Sequence, residues 1–191
     1  MLETTANLSI ADLRQKNLPI TVNGVPVGSS NELTVLPGGY VFDTGLDRID
    51  YGDAVTTVSA PGSRQTAPDL SPSLTHTGHD DLIDAARTSL DDCLTSADLA
   101  PAGCPFGAKL PDGSTAESVT WKLIGDPFSD VQPTLEWTDH GVARLPVQVK
   151  VLLTATVRTG NSTGSIEQEI IRNATAETDI LDEPLRLIWR N

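Results

Sequence analysis

The sequence predicts an α+β protein that is mainly antiparallel β. We expect a small β module, followed by one helix packed on a four- to five-stranded antiparallel sheet in a roll-like layout. Two patterns indicate this class: apolar residues recur at helical spacing in one stretch and alternate with polar residues in many others. Because the alternating stretches are polar on one side, one face of the sheet is expected to meet solvent.

Residues 1–60 are predicted to form the small β module. An Asn-Gly pair at 23–24, between short apolar runs, indicates a β-hairpin within residues 18–28. Further strands are expected within residues 32–45 and 51–62. The first residues are expected to be weakly helical or extended, and their apolar anchors are Leu8, Ile10 and Leu13.

A segment rich in Pro, Ser, Thr and Gly, residues 61–78, is predicted to be a linker or a long surface loop. The second domain is predicted to comprise residues 79–191. Its helix is expected to run from Asp80 to about Thr95, with aspartates in the first turns, where they favour the helix dipole. One apolar stripe along this helix is expected to be buried; it contains Leu82, Ile83, Ala86, Leu90, Cys93 and Leu94.

The clearest strand of the chain is predicted within residues 145–157. Shorter alternation around Trp121, and again around Trp137, indicates two more strands, and residues 161–164 are typical of a hairpin turn. Near the end of the chain, apolar and polar residues alternate around Trp189, which indicates a last strand. The buried face of the clearest strand is expected to consist of Val147, Val149, Val151, Leu153, Ala155 and Val157.

The 191 residues carry a formal net charge of −13. An acidic protein repels phosphate groups, so nucleic acid is not expected as a partner and an anionic membrane surface is disfavoured. No run of about 18 apolar residues occurs, and the first residues lack the pattern of a signal peptide. These absences fit a cytosolic protein, and they equally fit a piece cut from a longer anchored or exported chain.

The two cysteines lie near each other, Cys93 by the end of the predicted helix and Cys104 beyond a Pro- and Gly-containing turn. Their spacing excludes a redox CxxC motif. A zinc site using His76 and His79 would need about four ligands, and no second pair is evident, so no metal is expected. Two unrelated buried thiols remain an alternative. The favoured interpretation is a disulfide, which persists in oxidising compartments and would place the domain outside the cytoplasm.

No catalytic motif of a familiar type occurs, so the chain is not expected to be an enzyme and no cofactor is expected. The candidate acid–base groups are His140 beside Asp139, the pair Glu136 and Asp139, and the pair Glu167 and Glu169. Each is more typical of a solvated polar surface than of a catalytic cleft.

The segment DDCLTSADLAPAGCPFG, residues 91–107, resembles extracytoplasmic domains of single-pass membrane proteins of actinobacteria. In those proteins a helix ending in Cys is followed by a Leu-x-Pro-x-Gly-Cys-Pro turn. The N-terminal stretch, with Val22-Asn23-Gly24, Gly28 and Leu36-Pro37-Gly38-Gly39-Tyr40, is similar to small β modules of Gram-positive envelope proteins, the teicoplanin-resistance-associated and PEGA-type domains. The two resemblances together touch about half of the chain.

The resemblance implies a bitopic protein whose domain lies on the periplasmic or cell-envelope side, anchored by a transmembrane helix upstream of residue 1. One candidate among such proteins is the membrane receptor of a gephyrin-like division protein in corynebacteria. The resemblance implies an envelope or divisome protein as partner. We expect a non-catalytic binding or scaffolding domain tied to the cell envelope or cell division, of undetermined oligomeric state.

Possible partner contacts are Trp137 and Trp121, because aromatic residues dominate protein interfaces. The edge strand beyond Asn161 is a further place for a partner. One alternative function is a ligand-sensing domain with a pocket between helix and sheet, which would place Trp121 at its mouth. Another is a hydrolase of the envelope, which would need converging carboxylates or a His–Asp pair.

Overall fold

The computed structural model describes residues 4–52 and 55–191, and these residues group into two units. The first unit comprises the chain up to His79 together with the segment Thr134–Val142. The second unit comprises Asp80–Pro133 and Ala143–Asn191. The first unit therefore includes a segment that the sequence analysis assigned to the second domain. The opening residues 1–3, in which no signal pattern was found, lie outside the described residues.

The first unit is built from short strands in three small sheets. Their orders are β4-β1-β8, β3-β2-β5-β7 and β6-β9 in the following numbering. The elements are β1 (Ala6–Ser9), α1 (Ala11–Arg14), β2 (Thr21–Val22), β3 (Val25–Pro26), β4 (Glu32–Val35), β5 (Gly38–Asp43), β6 (Ile49–Asp50), β7 (Val55–Val58), β8 (Arg64–Thr66) and β9 (Ser73–Leu74).

The predicted hairpin at Asn23-Gly24 is confirmed. Both residues have positive φ, 50° and 75°, as a two-residue type I′ turn requires. Val22 is paired with Val25 across the turn. The Asn23 side chain also accepts a hydrogen bond from the backbone N–H of Val41 at 2.9 Å, which ties the turn to the neighbouring strand β5.

The core of the first unit includes the entry segment, whose structure the sequence left open between helical and extended. The apolar anchors Leu8, Ile10 and Leu13 are fully buried. Leu8 lies on β1, which pairs with β4 on one side and with β8 on the other. The entry is therefore the central strand of a sheet followed by one turn of helix. The same buried cluster includes Ile20, Val22, Phe42, Tyr51, Val58, Ala67 and Leu70.

The prediction of a linker over residues 61–78 is wrong. Strand β8 pairs in parallel with β1, and β9 pairs with β6. A helix, α2 (His76–Leu94), begins before the segment ends. The Pro- and Ser-rich composition misled the prediction because these short strands are held by pairing with distant segments rather than by their own side chains.

Helix α2 begins four residues earlier than predicted, at His76. Thr75 explains this start: its hydroxyl oxygen accepts a hydrogen bond from the N–H of Gly78 at 3.0 Å, as an N-cap residue does. His76 and His79 consequently belong to the first turn of the helix and not to a loop. Asp80, which was expected in the first turn, lies in the second.

The second unit holds the rest of α2 and a sheet with the strand order β10-β12-β13-β14. The strands of this sheet are β10 (Ser114–Leu123), β12 (Val142–Thr159), β13 (Ser162–Asp179) and β14 (Ile188–Arg190). A further short strand, β11 (Thr134–Leu135), belongs to the first unit. The pairs β10–β12 and β13–β14 are antiparallel. An α+β architecture with mainly antiparallel sheets is confirmed.

The predicted core faces of helix and sheet are confirmed for most of their residues, but Ile83, Leu94 and Val157 are only partly buried. In β12 the residues Val147 to Ala155 alternate between buried and more exposed positions. Along α2, the stripe formed by Leu82, Ala86, Leu90 and Cys93 is buried. Trp189 of β14 donates a hydrogen bond from Nε1 to the hydroxyl oxygen of Ser89 on α2 at 3.0 Å, which joins the last strand to the helix. Among the described residues, no helix combines the length and apolar character needed to cross a bilayer.

Candidate functional site

A disulfide links Cys93, in the last turn of α2, to Cys104, and this confirms the predicted bond. The Cα atoms are 5.8 Å apart. A tight turn brings Cys104 back: its N–H donates to the carbonyl oxygen of Pro101 at 3.3 Å, and Gly103 has a φ of +74° that favours glycine. We call residues 95–109, which the bond holds against the end of the helix, the disulfide loop.

The disulfide loop is anchored to strand β10 through Trp121. The indole Nε1 donates a hydrogen bond to the carbonyl oxygen of Asp98 at 2.9 Å, and the ring lies 4.7 Å from that of Phe106. The loop also closes on itself, because the N–H of Ala108 donates to the carbonyl oxygen of Leu99 at 2.7 Å. The loop is therefore a fixed wall, held by a covalent bond, a hydrogen bond and aromatic packing.

The prediction that Trp121 contacts a partner is wrong, because the side chain is only 4% exposed. Its ring is covered by Phe106 and its N–H is already bonded. Trp137 is 82% exposed and lies edge-on to His140, with ring centroids 6.5 Å apart. Trp137 belongs to the first unit and Trp121 to the second.

Strand β13 has a long unpaired side. On the side away from β12 it pairs with β14, but only over Thr175–Glu177. Residues 162–174 have no strand beside them there in the part of the chain that the structure describes, and they span about 40 Å. We call this side of residues 162–174 the open edge. Such edges attract further strands unless they are blocked.

The backbone groups of alternate residues point to the open edge. The N–H of Ile124 donates to the carbonyl oxygen of Lys150 at 2.9 Å, so even-numbered residues of β12 bond towards β10 and odd-numbered ones towards β13. The two-residue turn Gly160-Asn161 pairs the ends of β12 and β13 directly, so even-numbered residues of β13 bond to β12. Odd-numbered residues from 163 to 173 therefore present N–H and C=O groups to the open edge.

A groove of about 640 Å³ lies between the disulfide loop and part of the open edge. One wall is formed by residues 100, 101 and 104–109 of the loop, and the other by residues 168–172 of β13, with Asn191 also lining it. Apolar groups contributed by both walls include Ala100, Pro101, Pro105, Phe106, Ile170 and Ile171. The loop is closely packed on itself here, since a Cβ at Gly107 would lie 3.2 Å from the Cα of Ala100.

The two faces of the sheet beside the open edge differ in charge. On the solvent face, Glu167 is exposed, and Glu169 forms an ion pair with Lys150 at 2.8 Å. On the other face Ile170 is buried, and Arg172 follows it at the next position of the same face. The Nη1 atom of Arg172 donates to the carbonyl oxygen of Ile171 at 3.1 Å.

The acid–base candidates from the sequence lie in two places, at the turn around Asp139 and on strand β13. Asp139 shapes a turn: its carboxylate accepts a hydrogen bond from the N–H of Gly141 at 3.1 Å, and its carbonyl oxygen accepts one from Val142 at 2.9 Å. Within residues 4–52 and 55–191, no group of three or more His, Cys, Asp or Glu side chains is arranged to hold a metal ion.

The sequence predicts the edge strand beyond Asn161 as a place for a partner, but it does not predict the groove beside it. The groove depends on where β14 stops and on how the disulfide loop folds back, and neither is encoded by local periodicity. The one available signal was the segment SIEQEIIR, which follows a strongly apolar strand but carries charged residues on both faces.

No protein-family model, no curated protein sequence and no solved structure matches this chain.

Proposed function

We propose that this chain is a non-catalytic, extracytoplasmic binding or scaffolding domain of a membrane-anchored protein, and that it binds a partner at the groove. The observation that supports the proposal best is the groove itself, in which a rigid, disulfide-held wall faces an unpaired strand edge. Unpaired backbone groups are strong hydrogen-bonding groups that a partner strand satisfies. A protein of the cell envelope or the division machinery is the partner class that we propose.

The proposed location rests on the disulfide. A bond between Cys93 and Cys104 persists where thiols are not kept reduced. The anchor upstream of residue 1 and the actinobacterial origin belong to the same proposal. Mass spectrometry of the full-length protein, taken from its native envelope under non-reducing conditions, should find the two cysteines joined; finding both thiols free would overturn the location.

We also propose that α2 packs across the sheet in a roll-like layout. Support comes from the hydrogen bond between Trp189 and Ser89 and from the buried stripe of α2, which includes Leu82 and Leu90. In this layout the disulfide at the end of α2 holds the disulfide loop, which faces strand β13 across the groove.

Two matched variants test the binding site. Ile171 at the groove is 47% exposed, and Leu181 in the same unit is 43% exposed. We would express full-length wild-type, Ile171→Asp and Leu181→Asp proteins in the native cell, cross-link them and quantify the bound proteins. Ile171→Asp should lose a partner that the wild type and Leu181→Asp retain. Identical partner sets for the three proteins would overturn the groove as the binding site.

The alternative of a ligand-sensing domain also has one supporting observation. A volume of about 640 Å³ lies within the range of small-molecule sites. Its walls are the loop and the strand, however, and no α2 residue is among the groups that line it. A thermal-shift screen with small molecules, repeated on Ile171→Asp, would favour sensing if a compound stabilised only the wild type.

A further inference from the structure

We infer that the groove takes an extended segment of a partner protein in which apolar and basic residues alternate, added as a new strand to the open edge of β13. This inference rests on the proposed function and specifies the chemistry of its partner. Three features of the described residues support it: the way β14 already pairs, the difference between the two faces of the sheet, and the repulsion that opposes a second copy of this chain.

Strand β14 shows that this side of β13 accepts an added strand. It pairs with Thr175–Glu177 in regular antiparallel register. The groove begins where β14 ends, since Asn191 lines it together with residues 168–172. A strand placed in the groove would continue the line of β14 and meet the backbone groups that the odd-numbered residues present. The geometry of strand addition is therefore already in place.

The two faces of the edge require different side chains from an added strand. The groove side is walled by apolar groups such as Pro105 and Phe106, and it carries the cations Lys109 and Arg172. A cation of the partner is disfavoured there, whereas an apolar side chain gains by burial. The solvent side carries Glu167, Glu169 and Ile171. A basic side chain opposite the glutamates gains a cross-strand ion pair, and its alkyl stem packs on Ile171. Since side chains of a strand alternate, the partner must alternate apolar and basic residues.

A second copy of this chain is a poorer occupant than a basic segment. Pairing two open edges would bring Glu167 and Glu169 of both copies onto one face of the joined sheet, where like charges are destabilising. The chains would also approach with formal charges of −13 each. The same net charge draws a basic partner towards the surface.

Arg172 competes with an added strand. Its guanidinium is bonded to the carbonyl oxygen of Ile171, which is one of the acceptors at the open edge. A partner N–H must replace this bond, so the side chain has to move away when a strand is added. Removing the Arg172 side chain should strengthen binding of a basic segment. The carbonyl oxygen of Ile171 is then free to accept a hydrogen bond, and a positive charge that repels the segment is gone.

The test uses synthetic peptides about nine residues long, which span about 30 Å as a strand. The first alternates valine and lysine, the second alternates valine and glutamate, and the third is the valine–lysine peptide methylated on alternate backbone nitrogens. Affinities for the chain are measured by fluorescence anisotropy. The valine–lysine peptide should bind, the glutamate peptide at least about tenfold more weakly, and the methylated peptide should lose binding because it cannot pair.

Three variants of the chain complete the test. Glu167→Gln should weaken binding of the valine–lysine peptide about two- to fivefold, whereas Asp91→Asn removes an exposed charge from α2 and should leave it unchanged. Arg172→Ala should tighten binding. All three positions are exposed, so the variants are expected to fold.

The outcomes separate this inference from the proposed function. Equal binding of the methylated peptide would overturn strand addition, and equal binding of the glutamate peptide would overturn the basic partner. No peptide binding, combined with loss of a cellular partner in Ile171→Asp, would overturn this inference and leave the groove as the binding site. A dimer in sedimentation that Ile171→Asp abolishes would assign the open edge to a second copy and overturn the inference.

Discussion

The indole Nε1 of Trp189 lies 3.0 Å from the hydroxyl oxygen of Ser89 and donates a hydrogen bond to it. The two residues are far apart in the chain, one on the last strand β14 and the other on helix α2. Trp189 is only 8% exposed, so its N–H has little access to water if this bond is lost. The contact therefore stabilises the position of β14, beyond which the open edge begins.

Ser89→Ala should destabilise the protein by about 1–2 kcal/mol, because a buried indole N–H would be left without an acceptor. Thr88→Ala on the same helix is the control, since Thr88 is exposed and its hydroxyl donates to the carbonyl oxygen of Asp84 in its own helix. The free energy of unfolding of the Thr88→Ala protein should differ from that of the wild type by less than about 0.5 kcal/mol. Urea denaturation followed by tryptophan fluorescence measures both; equal effects would show that the Ser89 bond contributes nothing.

The disulfide is expected to contribute about 3 kcal/mol to the stability of the protein, since it closes a loop between positions separated by 11 in the sequence. The double variant Cys93→Ser, Cys104→Ser should lose about that much in denaturant unfolding. Reduction of the wild type by dithiothreitol should give the same loss, and reductant should have no effect on the double variant. A reduced protein as stable as the oxidised one would contradict the expectation.

Local signals in the sequence predicted the elements that nearest neighbours determine. The Asn23-Gly24 turn, the alternation of β12 and the buried stripe of α2 each depend on residues within a few positions of one another. The turn is confirmed, and the other two are confirmed for most of their residues. The pairing of β8 with β1 joins segments that are distant in the chain, so no local pattern in the sequence predicts it.

The candidate site could be predicted only in part, for the same physical reason. The alternation of apolar and polar residues predicts strands around both Trp121 and Trp137. It does not predict which of the two indole rings is buried by other side chains. Phe106 and the carbonyl of Asp98 cover Trp121, and both come from a loop whose path is set by the disulfide. The open edge likewise follows from β14 being short, which the closing segment of the sequence does not reveal.

Gly78 allows the start of α2 to lie against the backbone of residue 48. A Cβ built at Gly78 would overlap the carbonyl oxygen of Arg48. Gly78→Ala should therefore destabilise the protein by about 1–3 kcal/mol, although alanine is the better helix former. Gly28→Ala is the control, because nothing lies within 4 Å of a Cβ at that position. Thermal unfolding compares the two; a Gly78→Ala protein as stable as the control would show that the backbone yields at little cost.

Tyr51 is 6% exposed, and its hydroxyl has no hydrogen-bond partner among the described residues. Burial raises the pKa of Tyr51 to about 12, because the charged phenolate is poorly solvated there. The folded-state pKa thus exceeds the value of 10.0 expected for the unfolded chain. The resulting contribution to stability is fully present below pH 10 and is lost as the pH rises towards 12.

Tyr51→Phe separates these effects. At pH 7 it removes a buried hydroxyl without a partner, so the free energy of unfolding should stay the same or rise by up to about 1 kcal/mol. Between pH 10 and 12 the wild type should lose stability more steeply than the variant, because only the wild type has this phenol to ionise on unfolding. Urea unfolding at pH 7, 10 and 11.5 measures the difference between the two proteins. If Tyr51→Phe were destabilised at pH 7 by more than about 1 kcal/mol, the hydroxyl would have to be bonded in solution.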